Sequence, residues 1–294
     1  TRPASPPMGA CCFKSDAAED DVRKPLREPS SPDATLEVAP STTTAAYVPP
    51  AKSASENPDE VADFILEHET EAPYPTTDLS QRGMASQHVH EVGTRRHSLH
   101  QQVVRTLAQS GGNMRKVVKL PPGESLNEWL AVHTVDFFNE VCLLYSVMAE
   151  LCNPRTCPVM SAGPRFTYLW ADGHTIVDPI RVPANEYVHY LTTWVDEQLN
   201  DESIFPSEGG TYPPGFRKRV RQIFKRLFRV YAHIYHHHFR QFVELQMEAH
   251  LNTCFKRFAF FQLEFDLLDA RDMAPLQQLI SALLRREEEK YGPA

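Results

Sequence analysis

The chain has 294 residues, 38 acidic side chains against 30 basic ones, and a net charge of −8. It holds no run of about 18 apolar residues, so no membrane-spanning helix is expected, and no apolar signal segment opens it. Six cysteines are too few for a secreted disulfide scaffold, which points to a reducing, cytoplasmic setting, with the nucleus and the membrane surface as further places.

Composition changes near residue 96. Half of the 24 prolines precede residue 97, and residues 1–96 hold 16 acidic and 9 basic side chains, leaving 22 and 21 for the rest. A Pro-, Ser- and Ala-rich stretch of this kind cannot bury enough apolar surface to offset the entropy of ordering it. Residues 1–96 are therefore expected to be a disordered acidic extension, and 97–294 to form one domain with a substantial core. Nucleic acid is not expected as a partner, because the extension is acidic and the domain nearly neutral. If translation began at Met8, Gly9 would be available for a myristoyl group and Cys11 or Cys12 for a palmitoyl, the one route to a membrane, although Phe13 stands where Ser or Thr is preferred. Asn57-Pro58-Asp59-Glu60 ahead of Val61, Phe64 and Ile65 reads as a capped docking helix. Arg95-Arg96-His97-Ser98 has the pattern of a basophilic-kinase phosphosite.

From residue 125 helix signals dominate. Ser125 and Glu128 have capping-box spacing, and two adjacent apolar stripes follow, one through Leu130, Phe137, Val141, Leu144 and Met148, the other through Ala131, Val135, Phe138, Cys142 and Tyr145. A helix apolar over so wide an arc belongs near the centre of a bundle. A hairpin is expected around Asp172-Gly173 in "RFTYLWADGHTIVDPIRVP". Helices resume in "YVHYLTTWVDEQL", then in a long run from Phe216 to about Met247, and finally in "NTCFKRFAFFQLEF" and "PLQQLISALLRR". The fold class expected is an all-α, bundle-like domain with one small hairpin.

Two features carry chemistry. Cys152 and Cys157 flank "CNPRTC" where the first long helix ends, and the matching partners are His233, His236, His237 and His238 in "HIYHHH". Two thiolates with two imidazoles suit a closed tetrahedral zinc site that ties two helices together. Spacing leaves the pair open: His233 with His237 lie one turn apart on one face, whereas His233 with His238 need a rotation or a local distortion. Four ligands and no HExxH argue against a catalytic zinc. The second feature is "FRKRVRQIFKRLFRVY". Phe216, Val220, Ile223, Phe224, Leu227 and Val230 face the core, while Lys218, Arg221, Lys225 and Arg229, with Arg226 beside them, form a basic stripe suited to a phosphate. No P-loop, kinase Gly-rich loop or HRD/DFG pair is present, so catalysis is not expected.

"LNEWLAVHTVDFFNEVCLLY", "CPVMSAGPRFTYLWADG", "TWVDEQLNDESIFP", "KRLFRVYAHIYHHHF" and "EAHLNTCFKRFAFFQLEFDLLDARDMAPLQQLI" together resemble the Mob (Mps-one binder) kinase activators over about residues 103–284, most closely the core-Hippo subgroup that activates NDR/LATS-type kinases. The resemblance implies a four-helix-bundle-like domain with a structural Zn2+ held by Cys152, Cys157, His233 and His238, with His237 as a possible replacement ligand. It implies a phosphothreonine pocket for Hippo-type upstream kinases at Lys225, Arg226 and Arg229. It also implies an acidic surface at Glu124, Glu128 and Asp136 for the effector kinase's basic extension, and a regulatory phosphosite at Thr106. The function so implied is that of a non-catalytic kinase coactivator and adaptor, with a scaffold in phosphatase–kinase assemblies as the alternative.

Overall fold

The computed structural model describes residues 88–293 apart from Glu208. Gly9, Cys11, Cys12 and the helix expected at Asn57–Ile65 lie outside the described residues. Helix α1 (Arg95–Gln109) is opened by Thr94, whose side chain accepts the His97 N–H, and buries Leu99, Val103 and Leu107. The boundary expected at residue 97 therefore falls inside a helix. Residues ahead of it also pack on the domain: the backbone N–H of His88 donates to Asn139 Oδ1 at 3.3 Å, and Asn139 Nδ2 returns a bond to the His88 carbonyl at 2.8 Å. Gly111 and Gly112, at φ 60° and 87°, turn the chain into α2 (Met114–Val118), capped by Asn113.

Helix α3 (Leu126–Met148) is the axis of the domain. Both stripes contribute to its burial, and Trp129 Nε1 donates to the Val118 carbonyl at 3.1 Å. Its length and hydropathy would suit a membrane span, but its apolar side chains are covered by protein instead, as the double stripe requires. The expected capping box does not form: Ser125 caps α3 without a side-chain hydrogen bond.

Strands β1 (Ser161–Ala162) and β2 (Phe166–Thr167) pair antiparallel around Gly163, whose φ is 62°. The turn at Asp172-Gly173 exists as a second feature: Asp172 N–H donates to the Ile176 carbonyl at 3.0 Å, and Trp170 pairs with Ile180 as an isolated bridge. Then come α4 (Ala184–Asn200), α5 (Phe216–His237), α6 (Phe239–Glu244), α7 (Glu248–Glu264), α8 (Ala270–Met273), a 3-10 turn (Ala274–Leu276) and α9 (Gln277–Tyr291).

The core lies where α3, α5 and α7 cross. Phe137 meets Phe224, Phe258 and Phe261 edge-on, with ring centroids 5.2 to 5.6 Å apart, and Phe224 stacks on Phe258 and Phe261. Edge-on and offset rings add to the burial of their area. The run expected to stay helical to Met247 breaks at His238, which has left the helical region at φ −132°. That break aims the last histidine, as described next.

Candidate metal centre and charged faces

Cys152 and Cys157 lie in the tight segment just after α3. Cys157 N–H donates to the Asn153 carbonyl at 2.8 Å, and the Asn153 carboxamide oxygen accepts from Arg155 N–H at 3.0 Å, so the loop is held by its own side chain. Across from it, α5 ends. Cys152 Sγ is 3.4 Å from His233 Nε2, and Cys157 Sγ is 3.3 Å from His238 Nε2. The four donor atoms lie within 4.8 Å of one another and all four residues are buried. His233 Nδ1 donates to the Ser161 carbonyl at 2.8 Å, the outer bond that fixes a ligating ring and leaves the other nitrogen for a metal.

The shared hydrogen bond between the two sulfurs pushes the Cys157 thiol down and, with burial, pushes Cys152 up; His233 and His238 add to the effect on Cys157. The donor set, its burial and its outer bond all fit a tetrahedral zinc. His237 is not in the set. Its Nε2 faces Ser161 Oγ at 3.1 Å, and burial, then the neighbouring His233, pushes its pKa down to about 4. The end of α5 at His237 supplies the distortion that a pair five residues apart needs.

The opposite end of α3 is acidic, and its acids are already engaged. Arg95 makes a two-pronged bond to Glu124, 2.7 and 3.0 Å. Arg96 donates to Glu128 at 2.9 Å, to the Pro206 carbonyl at 2.6 Å and to Tyr212 Oη at 2.9 Å. Glu128 thus serves as an ion-pair partner rather than as half of a capping box. Asp136, mid-helix, is no bare docking carboxylate: His90 Nε2 lies 3.1 Å from it and His100 Nδ1 3.0 Å. Burial alone would raise Asp136, but hydrogen bonds from the two imidazoles outweigh it and hold the carboxyl well below the usual range. The bond to Asp136 in turn raises His100.

The basic stripe on α5 splits. Lys225 Nζ pairs with Asp272 at 2.6 Å and Arg221 with Asp269 at 3.0 Å, and both line a cleft of about 460 Å³ with Arg217 and Lys218. Arg226 is held by a different set of partners. Its guanidinium lies 3.9 Å from the Trp194 ring centroid and 4.6 Å from that of Trp170, and it donates to the Ala171 carbonyl at 2.6 Å. Arg229 donates to Tyr187 Oη at 2.7 Å and lies over Tyr168. The two arginines are oriented by aromatic rings from α4 and from the segment after β2, while Lys225 remains on an exchangeable surface pair.

Residues 105–276 match the model of the Mob1/phocein family. The chain belongs to that family. It is 54% identical to "MOB kinase activator-like 1B" of Arabidopsis thaliana over 193 residues, covering 65% of this chain and 89% of that protein. It is 56% identical to "MOB kinase activator-like 1 homolog B" of Dictyostelium discoideum over 194 residues, 66% of this chain and 89% of that protein. The expected resemblance to Mob kinase activators is thereby established, and with it the mostly helical fold carrying one small two-stranded hairpin.

In this Mob domain Thr106 sits near the C-terminal end of α1, its hydroxyl half-buried and donating to the Gln102 carbonyl at 2.8 Å. Sequence reading missed the basic partners of the acidic face. Arg95 and Arg96 stand out in the sequence only as part of a phosphosite pattern, and His90 carries no local signal of its own. The excess of Arg and His just ahead of an acidic helix start was the available signal. It also missed Arg257 on α7, which is 1% exposed and paired with Glu140 of α3, a partnership across 117 residues that no local pattern encodes.

Proposed function

We propose that this Mob domain is a non-catalytic kinase coactivator and scaffold. Cys152, Cys157, His233 and His238 hold a structural zinc, whose role when bound is to tie the loop after α3 to the end of α5. With four protein ligands such a site has no open position for an activated water, so the charged faces carry the function. Glu124 and Glu128 receive the basic N-terminal extension of an NDR/LATS-type kinase, and Asp136, buried between His90 and His100, lies behind that face and holds the segment that bounds it. Lys225, Arg226 and Arg229 receive a phosphothreonine peptide from a Hippo-type upstream kinase.

The observation that carries this reading is the pairing of Glu124 and Glu128 with Arg95 and Arg96 of the chain itself. A surface that holds arginines in cis has the spacing and charge to hold arginines in trans, so docking is an exchange of one basic segment for another. A phosphate on Thr106 would place negative charge in the last turn of α1, where it opposes the helix dipole and displaces the bond to Gln102. That change loosens the segment carrying the competing cations and favours the docked state by population shift.

Titration calorimetry with a phosphothreonine peptide and its unphosphorylated twin tests the basic side. The phosphorylated form is expected to bind at least about tenfold tighter, with Lys225→Ala removing a large part of the difference. Equal affinity for both peptides overturns the assignment. On the acidic side, Arg95→Ala/Arg96→Ala is expected to bind a basic kinase extension more tightly than the unaltered chain, because the cis competitor is gone. Unchanged or weaker binding, with phosphatase scaffold subunits captured instead of kinase, favours the alternative scaffold reading.

A further inference from the structure

Asp136 poses a problem of charge that the two faces described above do not solve. Its side chain is 8% exposed, and a buried carboxylate needs a full countercharge as well as hydrogen bonds. Among the described residues, its ion-pair partners are the His90 and His100 imidazoles. Two neutral imidazoles bring no net charge. Arg257 reaches the neighbourhood from α7, but its guanidinium is taken by Glu140. The missing charge is therefore either a proton on a ring or a cation held between the rings.

The geometry points to the cation. We propose that His90, His100 and Asp136 form a second divalent-metal site that fastens the N-terminal segment and α1 to α3. The three donors come from three separate stretches of chain, and their ligand atoms lie within 4.8 Å of one another. His90 Nε2 is 3.1 Å from Asp136 Oδ1, and His100 Nδ1 is 3.0 Å from both carboxylate oxygens. Ligands bound at zinc's usual 2.0 to 2.1 Å stand about 3.3 Å apart in a tetrahedron, so little movement separates these bonds from coordination. The rings are 5.4 Å apart and tilted by 43°, and each brings one nitrogen to the same carboxylate. Two imidazoles and one carboxylate are a borderline set that takes Zn2+, Co2+ or Ni2+ rather than Ca2+ or Mg2+. Three protein ligands leave one position for water, unlike the closed Cys/His set at the other end of α3.

The cation would act as a clasp. Its two nitrogen ligands lie in and before α1, and its carboxylate lies on α3 behind the acidic face, so occupancy holds the basic segment of Arg95 and Arg96 in place. On the docking assignment made above, and only on that assignment, such a metal opposes the kinase extension.

The test uses the full chain dialysed against low-micromolar Zn2+ at slightly alkaline pH, with metal counted by elemental analysis. Two equivalents are expected, and one in His90→Ala/His100→Ala. Each single variant should bind the second equivalent at least roughly tenfold more weakly. With zinc kept at the cysteines, added Co2+ should give d–d absorption without a thiolate charge-transfer band, and His100→Gln should abolish it even if the double variant folds poorly. One equivalent in the unaltered chain means that a protonated imidazole supplies the charge, and the proposal falls. A second equivalent that persists in the variants means binding at another histidine, and the proposal falls equally. Binding of a basic kinase extension is measured separately. Indifference of that binding to the second metal removes the docking consequence and leaves the site.

Discussion

At its C-terminal end α3 leads into two cysteines that meet two histidines, none of the four more than 5% exposed. At its N-terminal end it offers carboxylates to arginines, one of which has a side chain 56% exposed. In the first region every donor is buried and aimed at a common centre, so losing one partner strands the others in a medium that cannot solvate them. In the second, water can replace either member of a pair, so one basic segment can be traded for another at small cost. A single helix thus joins a permanent fastening to an exchangeable one, and burial is what separates them.

The comparison is broken most directly at the buried end. Chelation under conditions that strip zinc, or Cys157→Ser, is expected to cost about 4 kcal/mol or more, lowering Tm by roughly 8–16 °C in calorimetry. A shift of only about a degree would put both ends of α3 on the same footing.

The middle of α3 sharpens it through pH. His133 is fully buried between Trp129, Phe137 and Phe261, and burial, followed by the Arg257 charge, holds its pKa well below the usual value. The folded state therefore keeps it neutral, while the unfolded chain takes up a proton near pH 6.5. This group's contribution to stability is complete above that pH and is lost as pH falls below it. Between pH 7 and 5 the loss should reach up to about 2 kcal/mol. Urea unfolding at both pH values, with His133→Gln as the reference, isolates it: the variant's curve should fall less steeply toward acid, and an identical slope would reject the assignment.

At the acidic end the effects shrink with exposure. Arg96, with three hydrogen bonds and a side chain 20% exposed, should cost about 1.5 kcal/mol as Arg96→Ala in urea titrations. Arg95→Ala should cost less than about 0.5 kcal/mol and respond to salt. Equal losses for the two variants would show that exposure does not grade this face.

Much of this was legible beforehand. The double stripe of α3 places it at the centre, the apolar spacing from Phe216 to Val230 marks the core-facing side of α5, and the Cys152/Cys157 spacing points to a metal set. Periodicity carried these because it reports directly which side of a helix is apolar. Other features were legible only in part. Ser125 and Glu128 had capping-box spacing, yet Arg96 outbids the backbone for Glu128. Lys225, Arg226 and Arg229 lie along one stripe, yet Trp170 and Trp194 hold Arg226 while Lys225 pairs with Asp272.

The sequence alone determined the main helices from residue 125 on, most of their buried faces, the cysteine and histidine candidates for a metal and, through its resemblance, the family. Spacing leaves His237 and His238 open and the resemblance implies His238, but only the tertiary structure decided how the end of α5 brings it to Cys157, that Arg95 and Arg96 cover the acidic face, and that two imidazoles converge on Asp136. The physical reason is range. Helical periodicity and caps act within a few residues, whereas ion pairs and metal donors are chosen by whichever side chains the packed core brings within about 3 Å, however far apart they lie along the chain.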